Sequence, residues 1–149
     1  FFISTIDADG NPTVSYKGGQ PGFVKIVDEK TIAFPDYDGN GMFLTTGNIT
    51  VNNEVGLLFI DFEEPMRLRL HGQARVDIDS SLLNEYPEAK SIITITIRNL
   101  FINCPRYIHK HKKLKSSEFV PTPKQQTPIP DWKEMEQFKD VLPKGSKDK

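Results

Sequence analysis

The sequence predicts a mainly β fold, a small antiparallel barrel of six to seven strands with short helices at its ends and an extended C-terminal arm. Three observations carry this expectation. Residues 67–78 hold strict period two, with Leu68, Leu70, Gly72, Ala74, Val76 and Ile78 on one phase and Arg67, Arg69, His71, Gln73, Arg75 and Asp77 on the other. Such alternation gives a strand one dry and one charged face. Short β-branched and aromatic runs recur with turn residues between them. Too few helical residues separate the runs for the crossovers of a parallel sheet, which leaves a closed antiparallel barrel.

Taken in order, "FFISTI" is a strand, "DADGNP" is turn chemistry, and "TVSYK" alternates Val14 and Tyr16 against Ser15 and Lys17, so residues 1–17 form a hairpin. "GGQPG" breaks the chain again, "FVKIVD" is a third strand, and "TIAF" from Thr31 is a fourth. A corner rich in Gly, Asp and Thr follows, "FPDYDGNGMFLTTGNI". A helix starting near Met42 is expected here, with Asn40 as its cap. "VGLLFIDF" is apolar on both phases, as in a strand buried on both sides. The strand over residues 67–78 comes next, and Gly72 is expected to let it bend. "SSLLNEYPEA" makes a helical turn or two, and "SIITITIRNLFI" is a last long strand. The prolines of "VPTPKQQTPIP" stiffen an arm, and "DWKEMEQFKDVL" has Asp131 and Glu134 at capping-box spacing before a short amphipathic helix. The division is therefore a barrel over residues 1–115 and an arm with its helix over 116–149, the latter not an independent domain.

Composition narrows the function classes. With 149 residues, one domain is expected. Nineteen basic and twenty acidic residues give a net charge of -1, so no global field draws the chain to nucleic acid or anionic membrane. Cys104 is the only cysteine, which excludes an internal disulfide and a cysteine-based zinc cluster and suits a reducing, cytoplasmic setting. The longest apolar run, residues 55–60, falls far below the roughly 18 needed to span a membrane. The chain opens on Phe1 without a Met, and a natural N-terminus is expected to precede it.

The glycine-rich corner has two readings at this level. Gly39 and Gly41 let backbone amides approach a ligand, and a helix N-terminus there suits an anion such as a phosphate. A strand-to-helix turn needing positive φ explains the same glycines.

Beyond these local readings, "STIDADGNPTVSYKGGQPGFVKI", "TIAFPDYDGNGMFLTTGNI", "VGLLFIDFEEPMRLRLHGQARV" and "NCPRYIHK", in this order and spacing, resemble one branch of the pyridoxamine 5'-phosphate oxidase-like flavoproteins, the FMN-binding split barrels. The resemblance covers about residues 1–110 and implies a split barrel, a twofold homodimer, and an FMN in each of two clefts at the subunit interface. By position it implies Lys17 on the phosphate, and Phe34, Pro35, Asp36 and Tyr37 along the isoalloxazine edge. It implies Asn40, Gly41, Met42, Thr45 and Thr46 around the phosphate and ribityl chain. Arg67 falls at the flavin pyrimidine edge, where a cation stabilises the charge that reduction places there. Arg106, in "NCPRY", falls within reach of the partner's cleft. Each has a plainer reading too: Lys17 and Arg106 as solvated or paired cations, Phe34 as core.

The resemblance is to the family and not to the oxidase proper. That enzyme has an Arg-Lys pair at the corner, where this chain has Leu44 and threonines, and a substrate-gripping arginine and histidine near its end, which "DWKEMEQFKDVLPKGSKDK" lacks. The expectation is an FMN-dependent oxidoreductase of unknown substrate and electron donor that does not oxidise pyridoxamine 5'-phosphate. A non-catalytic flavin sensor or stress protein, or a deazaflavin- or haem-binding split barrel, stays open beside it. The basic segment "RYIHKHKKLK" lacks the interleaved aromatics that stack on bases, so no nucleic-acid partner is expected. His109 and His111 have no third ligand nearby, so no metal site is expected either.

Overall fold

Asp7 closes the first hairpin. Its carboxylate accepts the N–H groups of Asp9 and Asn11 at 2.9 and 2.8 Å, and Gly10 takes the φ of +86° that the turn requires. The strands it joins, β1 (Phe2–Ile6) and β2 (Pro12–Tyr16), pair from Ile6 opposite Pro12 to Phe2 opposite Tyr16. The chain continues through β3 (Lys25–Asp28), β4 (Thr31–Tyr37), α1 (Leu44–Val51), β5 (Glu54–Asp61), β6 (Met66–Asp77) and β7 (Ala89–Asn103). In this computed structural model, which describes residues 1–138 and 140–142, the strands form one antiparallel sheet in the order β2-β1-β5-β6-β7-β4-β3.

The sheet curls until its two halves meet over a core. Phe1 shows this most directly, with its ring 5.1 Å from Phe34 on β4 and 4.8 Å from Phe59 on β5, strands three places apart in the sheet. Ile3, Phe34, Leu57, Leu70, Ile93 and Ile95 fill the space between, each nearly or fully buried. Burying such a side chain contributes about 1.5–3 kcal/mol. No ladder joins β2 to β3 among the described residues, so the barrel is split along that seam. The fold is therefore the mainly β split barrel that the periodicity and the resemblance predict.

Gly72 sets the bend. A Cβ there would lie 2.3 Å from the Thr96 carbonyl oxygen and 2.9 Å from Ile95 Cγ2. The β6–β7 register shifts at the same point, from His71 opposite Asn99 to Gly72 opposite Ile97, leaving Arg98 as the extra residue of a bulge. Beyond it β7 has only β6 as a partner, and Leu100, Phe101 and Ile102 are exposed.

Several expectations need adjusting. β4 runs three residues further than "TIAF", through Pro35 to Tyr37; beyond Ala33 it has no β3 partner, and an edge tolerates a residue without an N–H. β5 is buried on one phase only, at Val55 and Leu57. Ile78 lies past the end of β6 and is 69% exposed. Helix α1 begins at Leu44, not near Met42, and its cap is Phe43 in the left-handed conformation; Asn40 instead accepts the Met42 N–H in a local turn. The expected C-terminal amphipathic helix is two single 3-10 turns, Asp131–Glu134 and Glu136–Phe138, separated by an extended Met135. Pro130 occupies the cap and offers no side-chain acceptor, so Asp131 falls inside the turn and the capping box does not form. Lys139 of that helix and residues 143–149 of the arm lie outside the described residues.

The arm lies on its own barrel. The Thr127 N–H donates to Glu88 Oε1 at 3.0 Å, Lys133 Nζ meets Asp38 Oδ1 at 2.9 Å, and Pro121 is buried. Residues 104–115 cross the β5–β6 turn, where the His111 N–H reaches the Phe62 carbonyl oxygen, the Lys113 N–H reaches Glu63, and Lys110 pairs with Glu64. The basic segment thus meets an acidic turn of its own chain. Among the described residues no helix is long and apolar enough to cross a membrane, and no three His, Cys, Asp or Glu side chains are grouped to hold a metal.

Candidate functional site

One rim of the barrel collects most of the residues singled out by sequence. Lys17 follows β2, and its backbone N–H bonds to the Phe1 carbonyl oxygen, which fixes where the side chain leaves the sheet. Its ammonium lies 3.4 Å from Asp36 Oδ1, while the second oxygen of Asp36 accepts the Thr46 hydroxyl at 2.6 Å. Asp36 is almost wholly buried, and a buried carboxylate needs such partners, since an unpaired one costs several kcal/mol. The exit of β2, the exit of β4 and the first turn of α1 are thereby tied at one point.

Helix α1 is held there by its inner face. Thr45, Asn48 and Ile49 are buried, and the Asn48 amide donates to the hydroxyls of Thr5 and Thr13 at 3.0 and 3.1 Å. Those two hydroxyls are themselves 2.9 Å apart, so the three side chains close a polar triangle against the hairpin. The first α1 backbone bond inside the helix runs from Gly47 N–H to the Phe43 carbonyl oxygen. The amides of Leu44, Thr45 and Thr46 precede it and have no helical acceptor. Gly41, at φ +77°, and Phe43, at φ 49°, turn the chain so that these amides end the corner.

Arg67 lies at the start of β6, between Ile60 of β5 and Asn103 of β7, on the face of the strand opposite Leu68. Arg67 Nε is buried without a hydrogen-bond partner, which is costly for a charged group and marks a donor awaiting an acceptor. No contact joins Arg67 directly to Lys17, Asp36 or Thr46 among the described residues.

The remaining positions divide. Phe34 is fully buried in the core, so its side chain is structural, and Pro35 is buried in the ladder opposite Ile92. Tyr37 is half-buried, and burial, with Tyr86 and Glu88 adding to it, raises its phenol above the ordinary value, so it stays protonated. Met42 is 63% exposed and Asn40 is exposed. Arg106 is exposed on the segment after β7, away from any partner among the described residues. Arg69 donates through Nε to Asn103 Oδ1 at 3.2 Å and His71 packs edge-on to Phe101, so both have structural partners. Sequence reasoning missed Asn48, whose signal was the buried i, i+3, i+4 stripe with Thr45 and Ile49. It also missed Lys133, buried against Asp38, for which the sequence carries no signal.

Comparison with known proteins follows the geometry. Residues 1–105 match the sequence profile of the family described as pyridoxamine 5'-phosphate oxidase. The fold is similar to HupZ of Group A Streptococcus, at 21% identity over 68% of this chain and 82% of that one, with a TM-score of 0.55. It is similar as well to a putative pyridoxamine 5'-phosphate oxidase of Lactobacillus delbrueckii, at 23% identity over 67% and 81%, TM-score 0.53. General stress protein 26 of Bacillus anthracis gives 17% identity over 68% and 81%, TM-score 0.50. At these identities the structures speak to the fold alone. No curated protein matches the chain in sequence.

Proposed function

From the premise that the chain belongs to the pyridoxamine 5'-phosphate oxidase family, we propose that it is an FMN-binding flavoprotein that works as an oxidoreductase. The observation that carries the reading is the buried, unpartnered Arg67 Nε at the start of β6. A cofactor that accepts a hydrogen bond and gains negative charge on reduction fits that donor, and little in the barrel itself does. The corner fits an anion through the free first-turn amides of α1 and through Thr46 and Lys17. Asp36 tempers that fit, because it already engages both side chains. Phosphate binding here rests on amides more than on cations, and is weaker than a bidentate arginine site.

FMN, when bound, supplies the two-electron chemistry. Arg67 would hold a fixed positive charge for the reduced cofactor, as the resemblance implies. Tyr37, protonated, is a hydrogen-bond donor beside the corner. Asn40, Gly41, Met42 and Thr45 shape the turn around the phosphate. Phe34, Pro35 and Asp36 offer backbone and a buried carboxylate rather than a stacking surface.

A twofold homodimer completes the cleft in this reading, with Arg106 approaching from the second subunit. What supports it is the apolar stretch that β7 exposes beyond its bulge, where Leu100 is 54% and Ile102 72% exposed. Among the described residues the arm brings no arginine or histidine to the corner, and its Lys133 is paired with Asp38, so this reading does not take pyridoxamine 5'-phosphate as the substrate. Appreciable peroxide production from that substrate would overturn this part.

The test of the whole reading is an absorbance spectrum of the purified chain, repeated after adding FMN and removing the excess. Flavin bands at about one per chain are expected. A protein that stays colourless would move deazaflavin, haem or a cofactor-free role ahead of FMN.

A further inference from the structure

Between the arm and the end of β4 lies a recess of about 350 Å3 that the flavin reading leaves unused. Binding sites for small molecules start at roughly that size. Gly18, Tyr37 and Gly39 line it from the barrel, Lys90 from the start of β7, and Phe119 and Ile129 from the arm. The barrel side is made by the corner and the far side by the prolines' stiff path.

The charges around the recess cancel. Lys90 and Lys133 are positive, Asp38 and Glu88 negative, so two minus two leaves no net charge to select an ion. Lys133 is engaged by Asp38 at 2.9 Å, with their side chains 6% and 22% exposed, and Glu88 accepts the Thr127 N–H at 3.0 Å. Exposed Lys90 and two hydroxyls remain. Thr127 Oγ1 is buried and has no partner, and Tyr37 brings its phenol to the lining. A buried polar atom left unpaired costs about 1–3 kcal/mol, so the recess is incomplete as it stands. Phe119, Ile129 and Pro128 make the rest of the lining apolar.

We propose that this recess is a binding site for a small, uncharged, planar ring carrying a carbonyl or carboxamide. The carbonyl oxygen accepts from the Thr127 and Tyr37 hydroxyls, and the ring lies against Phe119 and Ile129. A charged ring of the same size is not preferred, because the lining charges sum to zero. The site shares Tyr37 with the proposed cofactor corner but owes Thr127, Phe119 and Ile129 to the arm alone.

Three probes with one ring and three charges test this by saturation-transfer NMR and calorimetry on the full chain: nicotinamide, nicotinate and 1-methylnicotinamide. Saturable binding of nicotinamide is expected, with both ions weaker by about tenfold or more. Thr127→Val, which removes the hydroxyl and keeps the shape, weakens nicotinamide by about fivefold, the loss of one neutral hydrogen bond. No binding of nicotinamide, a preference for either ion, or an unchanged affinity in Thr127→Val would overturn the proposal, the last by showing that the hydroxyl meets only water. FMN retention, read from the visible spectrum of the same samples, separates the two readings. Loss of flavin with nicotinamide binding intact counts against the cofactor alone, and the reverse counts against this site alone.

Discussion

Single residues decide whether the rim is a site or a structural knot. Asn48 is the clearest structural case, since its amide is the only link in the polar triangle that comes from the helix. Asn48→Ala leaves Thr5, which is 1% exposed, with one partner fewer and frees α1 from the hairpin. The expected loss is about 1–3 kcal/mol, read as a lower urea midpoint with unchanged slope. Arg67 is the functional case. On the proposed reading, Arg67→Ala weakens reduced FMN more than oxidised FMN by roughly 1–3 kcal/mol, measured as a lower reduction potential of the bound flavin. Equal weakening of both forms would show that the guanidinium merely packs there. The two glycines of the corner are not equivalent probes. Gly41 sits at positive φ, where any side chain is strained, whereas Gly39 has nothing within 4 Å of a built Cβ. Lys17 and Arg67 could be singled out because the family resemblance carries roles to those positions. Asp36 was placed by the resemblance at the isoalloxazine edge, but its pairing with Lys17 was not legible, since burial depends on where β2 and β4 meet in space.

At the scale of elements, strands were legible and caps were not. The alternation over residues 67–78 and the glycine within it anticipated both a long strand and its bend, because inward and outward phases must alternate on any pleat. Gly72→Ala tests the bend. The new methyl meets a backbone carbonyl oxygen that cannot rotate away, so a loss of about 1–3 kcal/mol or more is expected from thermal or urea unfolding. The same substitution at Gly56, where the nearest atom is at 4.0 Å on the His71 side chain, is tolerated. The first turn supplies a pH-dependent partner to this test. Asp7 is held below its ordinary value by the Asn11 N–H, then by the Asn11 side chain. A carboxyl with a depressed folded pKa contributes stability above its unfolded pKa and loses it as pH falls through the folded one. The difference in Tm between the natural chain and Asp7→Ala is therefore expected at pH 7 and should shrink as the pH falls below the ordinary value of 3.8. Helix boundaries escaped sequence reading for a physical reason. The left-handed Phe43 cap and the proline cap at Pro130 satisfy the chain through backbone geometry, with no side-chain acceptor to announce them.

At the scale of the whole molecule, the bulge in β7 links the fold to assembly. Residues before the shift pack in the barrel, with Ile92, Ile93 and Ile95 fully buried, while Leu100, Phe101 and Ile102 after it pair with β6 and are exposed. Leu100 and Ile102 share one face of the end of β7 and Phe101 lies on the other, and each of them, with Met66 at the start of β6, is more than a third exposed. Exposed apolar side chains of this size mark an interface more often than a free surface. The ribbon also carries Arg67, opposite Asn103, so a subunit contact here would lie beside Arg67. Ile102→Glu is placed to separate fold from assembly. Its side chain is 72% exposed, so the monomer tolerates the charge, but an apolar interface does not. The natural chain is expected to run as a dimer by light scattering, and Ile102→Glu as a folded monomer with an unchanged far-ultraviolet spectrum and diminished flavin content. A variant that stays dimeric places the subunit contact elsewhere on the barrel. One that becomes monomeric and keeps its flavin shows that Lys17, Thr46 and Arg67 hold the cofactor without help from a second copy.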